Sequence, residues 1–370
     1  MQLVTISTSR NILKSGSRDR ARMRMYAGYV EHLHIIVLTR RSHGFHENMH
    51  EGNLHVYPTN SSSTIMMLFD AFRLAHRVLR DRKGNDGVTI TVQDPLELGL
   101  IARVLSRIHR VPYTIQIHGD YYSRYWTQGS IVRSVRRCLI PYVLNAASKI
   151  RVVSLRVADS LRLRGFPNEK IVVLPIRPEL DMFLKVARPP KNETFTILTV
   201  SRFAREKNIP CLIRAFSRAL QDHPGMQLRI VGEGGEYARI QHEIVSLGIE
   251  SSVRCEPWTD TIAEHMASAD VFVLASLHES YGLVLIEALA TGTPVITTDV
   301  GCVGSVVKDG EHGIVVPVQD EERLYHALVR MYTDETFRIS AGENGRALGK
   351  QLSSMTEEMY AKEWVAAHSA

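Results

Sequence analysis

Short apolar runs alternate with amphipathic stretches along the whole chain, and the alternation restarts about halfway through its 370 residues. That pattern belongs to parallel sheets whose strands are joined by crossover helices. In the first half it predicts strands near 2–8, 33–39, 88–93, 112–118, 149–154 and 170–174. Helices are predicted near 64–80, 96–109, 130–146 and 155–164. A charged segment with two prolines, KVARPPKNE at 185–193, reads as a linker. Beyond it, strands are predicted at 195–200, 227–231, 252–255, 270–275, 294–298 and 313–316. Helices there are predicted at 208–222, 236–247, 260–267, 283–291 and 321–333. A last helical stretch near 352–367, with Met355, Met359 and Trp364 apolar, follows the second sheet and is expected to pack back on the first domain. The expectation is an α/β protein of two Rossmann-like parallel-sheet domains, 1–185 and 186–350, with 351–370 as the returning helix. Such sheets bind ligands at the carboxyl ends of their strands, so two facing sheets would frame a cleft.

Charge divides the two halves. Residues 1–190 carry 29 Lys and Arg against 14 Asp and Glu, whereas residues 191–370 carry 16 against 25. The basic half either faces an anionic partner or is simply a solvated surface. The predicted helix at 130–146 poses the same choice. Ile131, Val132, Val135, Leu139 and Val143 form an apolar stripe flanked by Arg133, Arg136 and Arg137. It is either half-buried with a wet flank or turned toward a membrane or other anion. The cysteines, at 138, 211, 255 and 302, lack the spacing of a metal knuckle or redox pair, which predicts a reduced cytoplasmic chain. Association with the inner face of a membrane stays open. No nucleic-acid-reading motif accompanies the basic half.

The second half holds the residues that point to chemistry. In ILTVSRFAREKN, residues 197–208, Arg202 follows a predicted strand and Lys207 stands at the start of the next helix. Two cations there suit a diphosphate, although they also fit a solvated surface. Gly232 and Gly234 lie in the next strand-to-helix turn, as plain turn residues or to admit a phosphate or sugar to the backbone. The nicotinamide fingerprint is excluded, because its last glycine would fall on Tyr237. Pro257 and Trp258 follow the third strand, with Trp258 either a core residue or the wall of a nucleobase pocket. In HESYGLVLIEALATGTPVI, Glu279 and Glu287 flank the loop and first helical turn Ser280, Tyr281, Gly282 and Leu283, whose N–H groups are free to meet an anion. Glu279 suits sugar hydroxyls or a helix cap, and Glu287 a ribose diol or a solvated helix face. In the first half, His118 ends a predicted strand, followed by Asp120 and Tyr121; Gly16 lies in the loop after the first strand.

With these motifs the chain resembles the retaining glycosyltransferases of family 4, which have the GT-B architecture. The likeness spans the chain and is strongest over residues 195–317. The family's Glu–seven residues–Glu motif matches Glu279 and Glu287, its phosphate-binding Arg and Lys match Arg202 and Lys207, and its glycine turn matches Gly232 and Gly234. The resemblance implies a nucleotide-diphospho-sugar, UDP- or GDP-linked, in the C-terminal domain. It implies a glycan, lipid-linked or phospholipid acceptor in the N-terminal domain, where His118 would line the reacting sugar with Gly16, Asp120 and Tyr121 nearby. It further implies hexosyl transfer without a metal or other cofactor, with the departing phosphate oxygen taking the acceptor's proton. An unperturbed His118 could carry a proton near neutral pH. The sequence departs from the family at the first loop, where Gly16 stands alone among many cations, and at Glu256, Cys302 and Ser305. A nucleotide-sugar epimerase, which would need no acceptor, and a silent nucleotide-sugar binder are the competing readings.

Overall fold

The computed structural model describes residues 1–81, 87–128, 130–189 and 194–369. The chain forms two compact units, Met1–Pro175 with Thr356–Ala370, and Ile176–Met355.

The first unit contains, among the described residues, an eight-stranded sheet. Its strands are β1 (Gln2–Ser7), β2 (His32–Val37), β3 (Met49–Glu51), β4 (Leu54–Pro58), β5 (Val88–Val92), β6 (Tyr113–Ile117), β7 (Lys149–Val152) and β8 (Ile171–Val173). Their order is β3-β4-β2-β1-β5-β6-β7-β8, and all pair in parallel except β3, which runs antiparallel to β4. Strands β1, β5 and β6 are buried along their whole length, as central parallel strands covered on both faces are, although Thr, Gln and Ser alternate with their apolar residues. The chain builds outward from β1 and then returns to its other side as β5. That reversal puts a switch point at the carboxyl ends of β1 and β5, where the Ser7 hydroxyl donates to Gln93.

Three features of this unit differ from expectation. The helix Arg18–Ala27 went unread because arginines at 18, 20, 22 and 24 obscure any apolar stripe; Ser17 caps it by accepting from the Arg20 amide, and only Tyr26 and Ala27 are buried. β3 and β4, short and rich in histidine, also went unread. The helix expected at 130–146 is broken at Cys138 into Ile131–Arg137 and Leu139–Ala146. Pro141 explains the break: it has no N–H for the Arg137 carbonyl, and it fits only in the first turn of a restarted helix. Ile131, Val132 and Val135 are exposed there.

The helix Glu357–His368 completes the first unit. Trp364 stacks on Tyr26 with ring centroids 4.7 Å apart. The Tyr360 hydroxyl accepts from the buried Arg151 guanidinium at 2.9 Å and donates to the Pro175 carbonyl at 2.9 Å. Arg151 also donates to the Leu174 carbonyl, so its charge is buried but hydrogen-bonded.

The second unit has, among the described residues, a six-stranded all-parallel sheet. It comprises β9 (Phe195–Val200), β10 (Met226–Val231), β11 (Val253–Glu256), β12 (Val271–Leu274), β13 (Val295–Thr298) and β14 (Gly313–Val316), ordered β11-β10-β9-β12-β13-β14. Here the reversal falls between β9 and β12. The helix Glu335–Ser353 went unread because Gly342, Gly345 and Gly349 look like breakers. They instead line one face: a Cβ on Gly345 would stand 2.5 Å from Leu289, and one on Gly349 would stand 2.8 Å from the Ala290 backbone. Their small size lets this helix lie close against Leu283–Ala290.

The unit boundary falls at Pro175–Ile176, ten residues before the one expected. Residues on the C-terminal side of it are tied to the second unit, with Arg346 donating to the Leu184 carbonyl and Arg188 to that of Gly292. Of the expected linker, residues 190–193 lie outside the described residues. Among the described residues no helix is long and apolar enough to cross a membrane.

Candidate functional site

The switch point of the second sheet brings the loop after β9 against the loop after β12. The turn Arg205–Lys207 is strapped there, since the Leu277 amide donates to the Glu206 carbonyl at 2.7 Å. Across this strap the Lys207 ammonium donates to Glu279 Oε1 at 2.6 Å, and the Ser276 hydroxyl donates to the same oxygen at 2.7 Å. Only 15% of each ion-pair side chain is exposed. The pair is therefore largely withdrawn from water, where each partner depends on the other. Arg202 differs: its side chain is 78% exposed and pairs loosely with Glu206 at 3.3 Å.

Beyond Glu279 the chain turns through Ser280, Tyr281 and Gly282 into the helix Leu283–Ala290. Gly282, at φ 88°, holds the left-handed conformation that admits this entry. The first helical N–H groups have no partner within the helix. The Tyr281 carbonyl accepts from the Cys302 amide at 2.8 Å, and a Cβ on Gly301 would come within 2.4 Å of that carbonyl oxygen. One turn into the helix, the carboxylate of the half-buried Glu287 makes no hydrogen bond or ion pair among the described residues. Burial alone pushes its carboxyl up from 4.5 to about 7.

Gly232 and Gly234 act on this site through the backbone. A Cβ on Gly232, at φ 148°, would lie 1.9 Å from the Ser201 carbonyl oxygen; one on Gly234 would lie 2.4 Å from that of Phe203. Both glycines let the loop after β10 close on the loop that carries Arg202. Gly232→Ala is expected to lower stability by about 2–4 kcal/mol, through strain and the forced shift of Ser201. Urea unfolding followed by circular dichroism measures it, and an unchanged midpoint would remove this role.

Trp258, after Pro257 at the end of β11, is 58% exposed, which excludes it from the core. Glu256, where the sequence departs from the family, is held by Arg229 through hydrogen bonds of 2.8 and 2.9 Å. The Arg229 guanidinium keeps its carboxyl below the usual range. Ser305 donates to the Cys302 carbonyl. Sequence reasoning missed Ser276 and Gly301; a serine three residues before Glu279 was the only signal for the first.

In the first unit His118 directly follows β6. Arg151 approaches its Nε2 at 3.5 Å and can only donate, so Nε2 is the accepting nitrogen. Burial, reinforced by the Arg151 charge, lowers the imidazole to about 3. The expectation of an unperturbed histidine is thus corrected: this ring is neutral throughout the physiological range. Asp120 turns its carboxylate onto the amides of Tyr122 and Ser123, at 3.2 and 3.0 Å, and so shapes its own loop. Tyr121 packs edge-on against Trp126, and burial raises its hydroxyl far above its ordinary value. Gly16, at φ 70°, turns the chain just before Ser17 and the helix Arg18–Ala27.

Two sequence families match the chain one after the other. "Glycosyl transferase 4-like domain" takes residues 16–177, and "Glycosyl transferases group 1" takes residues 183–348. Curated relatives include a lipopolysaccharide core biosynthesis glycosyltransferase of Rhizobium meliloti, 32% identical over 40% of this chain and 43% of its own. An exopolysaccharide phosphotransferase of Streptomyces coelicolor is 33% identical over 46% of this chain and 18% of its own. Glycogen synthase of Mycobacterium tuberculosis is 27% identical over 68% and 61% respectively. The chain thus spans less than two thirds of each relative's length. Among solved structures, sucrose-phosphate synthase of Thermosynechococcus elongatus superposes with a TM-score of 0.76 at 21% identity, covering 99% of this chain and 97% of its own. Anabaena HepE, solved with UDP and glucose, superposes with a TM-score of 0.72 at 17% identity over 99% of each chain. With both sequence families matched in order on two parallel-sheet units, the chain belongs to the family 4 glycosyltransferases of GT-B fold.

Proposed function

We propose that the protein transfers a hexosyl unit from a UDP- or GDP-sugar, held by the Ile176–Met355 unit, to a glycan, lipid-linked or phospholipid acceptor held by the first unit, with retention of configuration. The observation that carries this reading is the Lys207–Glu279 pair at the β9–β12 switch point, next to the turn into Leu283–Ala290. Relatives in lipopolysaccharide and polysaccharide synthesis, and the UDP and glucose in the HepE structure, support it.

In this reading Lys207 and Arg202 offset the diphosphate charge, which grows on the leaving oxygen as the sugar departs. The amides of Tyr281, Gly282 and Leu283 meet the phosphates. Glu279 orients sugar hydroxyls, Glu287 takes the ribose diol, and Trp258 with Pro257 borders the base. Gly232 and Gly234 keep the loop bearing Arg202 in place. With the His118 ring neutral, its role is hydrogen bonding, and the departing phosphate oxygen takes the acceptor's proton. Asp120, Tyr121 and Gly16 belong to the acceptor side. The two cations supply the charge a divalent ion would otherwise bring, so the reaction is proposed to need no metal. It would run in the cytoplasm, at the inner face of the membrane when the acceptor is lipid-linked.

A melting-point screen against UDP, GDP, ADP and their sugars tests the donor. At one hundred times its Kd, a ligand is expected to raise the melting point by roughly 5–10 °C. Transfer is then assayed with EDTA and with magnesium, and equal rates are expected. Failure of every nucleotide to shift melting would reject the donor site, and loss of turnover in EDTA would reject metal independence. Donor conversion without an acceptor would favour the epimerase.

A further inference from the structure

A second basic site lies in the first unit, at the opposite end of its sheet from the loops that follow the strands. The crossover helix Glu97–His109 starts at the carboxyl end of β5 and finishes beside the amino end of β6. Around its last turn is an open cavity of about 500 Å³, lined by Arg103, Ser106, Arg107, Arg110, Tyr113 and Ala146 among others. Among the described residues no acid lines it. The only acid of this helix, Glu97, sits at its far end and pairs with Arg136.

The three arginines are left uncompensated. The side chains of Arg107 and Arg110 make no hydrogen bond or ion pair among the described residues. Arg103 stacks over the Tyr142 ring at 3.7 Å and donates to the Tyr142 carbonyl, which fixes its guanidinium. Three like charges around one cavity repel one another. An anion with several acceptor oxygens offsets that repulsion, and guanidinium forks match phosphate oxygens well. Beside the basic row the same helix exposes Val104 and Ile108, and Tyr142 is exposed on the neighbouring helix. Apolar side chains bordering cations are what a bilayer surface accepts: charge at the headgroups, apolar groups just below.

We propose that this cavity binds a phosphate ester, and that its source is the headgroup of an anionic lipid, with Val104, Ile108 and Tyr142 entering the interface. The site is separate from the acceptor position proposed above, and it stands whether or not the donor reading holds.

The test uses the full chain with vesicles of phosphatidylcholine alone and of phosphatidylcholine mixed with phosphatidylglycerol. Glycerol 3-phosphate serves as the soluble probe in a melting-point assay. Arg107→Gln/Arg110→Gln changes two side chains without partners, and its circular dichroism spectrum and melting point verify the fold. Wild type is expected to sediment with the anionic vesicles only, and the double variant to bind them about 30-fold more weakly at low salt. Val104→Ser/Ile108→Ser should also bind them more weakly. A melting-point rise with glycerol 3-phosphate that the arginine variant lacks, without vesicle binding, would keep the phosphate site and overturn the lipid source. Equal vesicle binding by wild type and the arginine variant, with no response to glycerol 3-phosphate, would overturn the site itself.

Discussion

Lys207→Ala is expected to lower transfer at least about 100-fold, the scale on which removing one charge-stabilising donor from a reacting oxygen acts. It also leaves Glu279 in a site with 15% exposure and only the Ser276 hydroxyl as a neutral partner. Breaking one side of such a pair costs about 3 kcal/mol of stability. Glu279→Ala leaves the ammonium in the same position and should cost a similar amount. Removing both relieves the unpaired charge, so the double variant should recover stability relative to either single one. Under the proposed function each side chain has its own task on the substrate, so activity should not recover. Urea unfolding and initial-rate kinetics on all four proteins separate these effects. Turnover that recovers alongside stability would show that the pair only holds the loops together.

Glu287→Gln is expected to stabilise the ligand-free protein and to weaken nucleotide binding. The carboxyl sits near 7 in the fold and near 4.5 when free, so between those values the folded state holds the proton more tightly. The unfolded chain binds fewer protons there, and stability falls as pH rises from 4.5 to 7, then levels off. Glutamine abolishes that loss and should add about 2 kcal/mol above pH 7. Binding runs the other way. A ribose diol donates to the ionised carboxylate, so wild-type affinity should rise between pH 6 and pH 8 and a proton should be released on binding. The variant should bind about 100-fold more weakly at pH 8, with its affinity flat across this range. Calorimetry in two buffers of different ionisation enthalpy counts the proton; affinity independent of pH in wild type would contradict the assignment.

Most strands and crossover helices of both sheets were legible because buried parallel strands are short stretches rich in Val, Ile and Leu, with only small or uncharged polar residues between them in β1, β5 and β6. The elements that escaped have local reasons. Gly342, Gly345 and Gly349 serve close helix packing, which reads on paper as helix breaking. The arginines of Arg18–Ala27 mask its buried end. Loop positions were legible from the strand pattern: Lys207 was expected after β9 and Glu279 after β12, and both lie there. What could not be read was who meets whom. The sequence offered two cations for one anion, yet Lys207 is bound to a carboxylate while Arg202 is left in solvent. Nor does any local pattern put a buried arginine from β7 beside His118, and it is this neighbour, together with burial, that keeps the ring neutral.

Arg151 has a further consequence, in the order of synthesis. Its guanidinium rests on Tyr360, and Tyr26 rests on Trp364, so the first unit is finished by a segment synthesised only after the whole of the second. The second unit, Ile176–Met355, has no such debt to a distant segment and can close as soon as it is made. While the second unit is being made, the earlier half must therefore wait, incomplete, for the helix Glu357–His368. A stop codon shortly after residue 355 would spare the whole Ile176–Met355 unit while leaving a buried arginine exposed in the other.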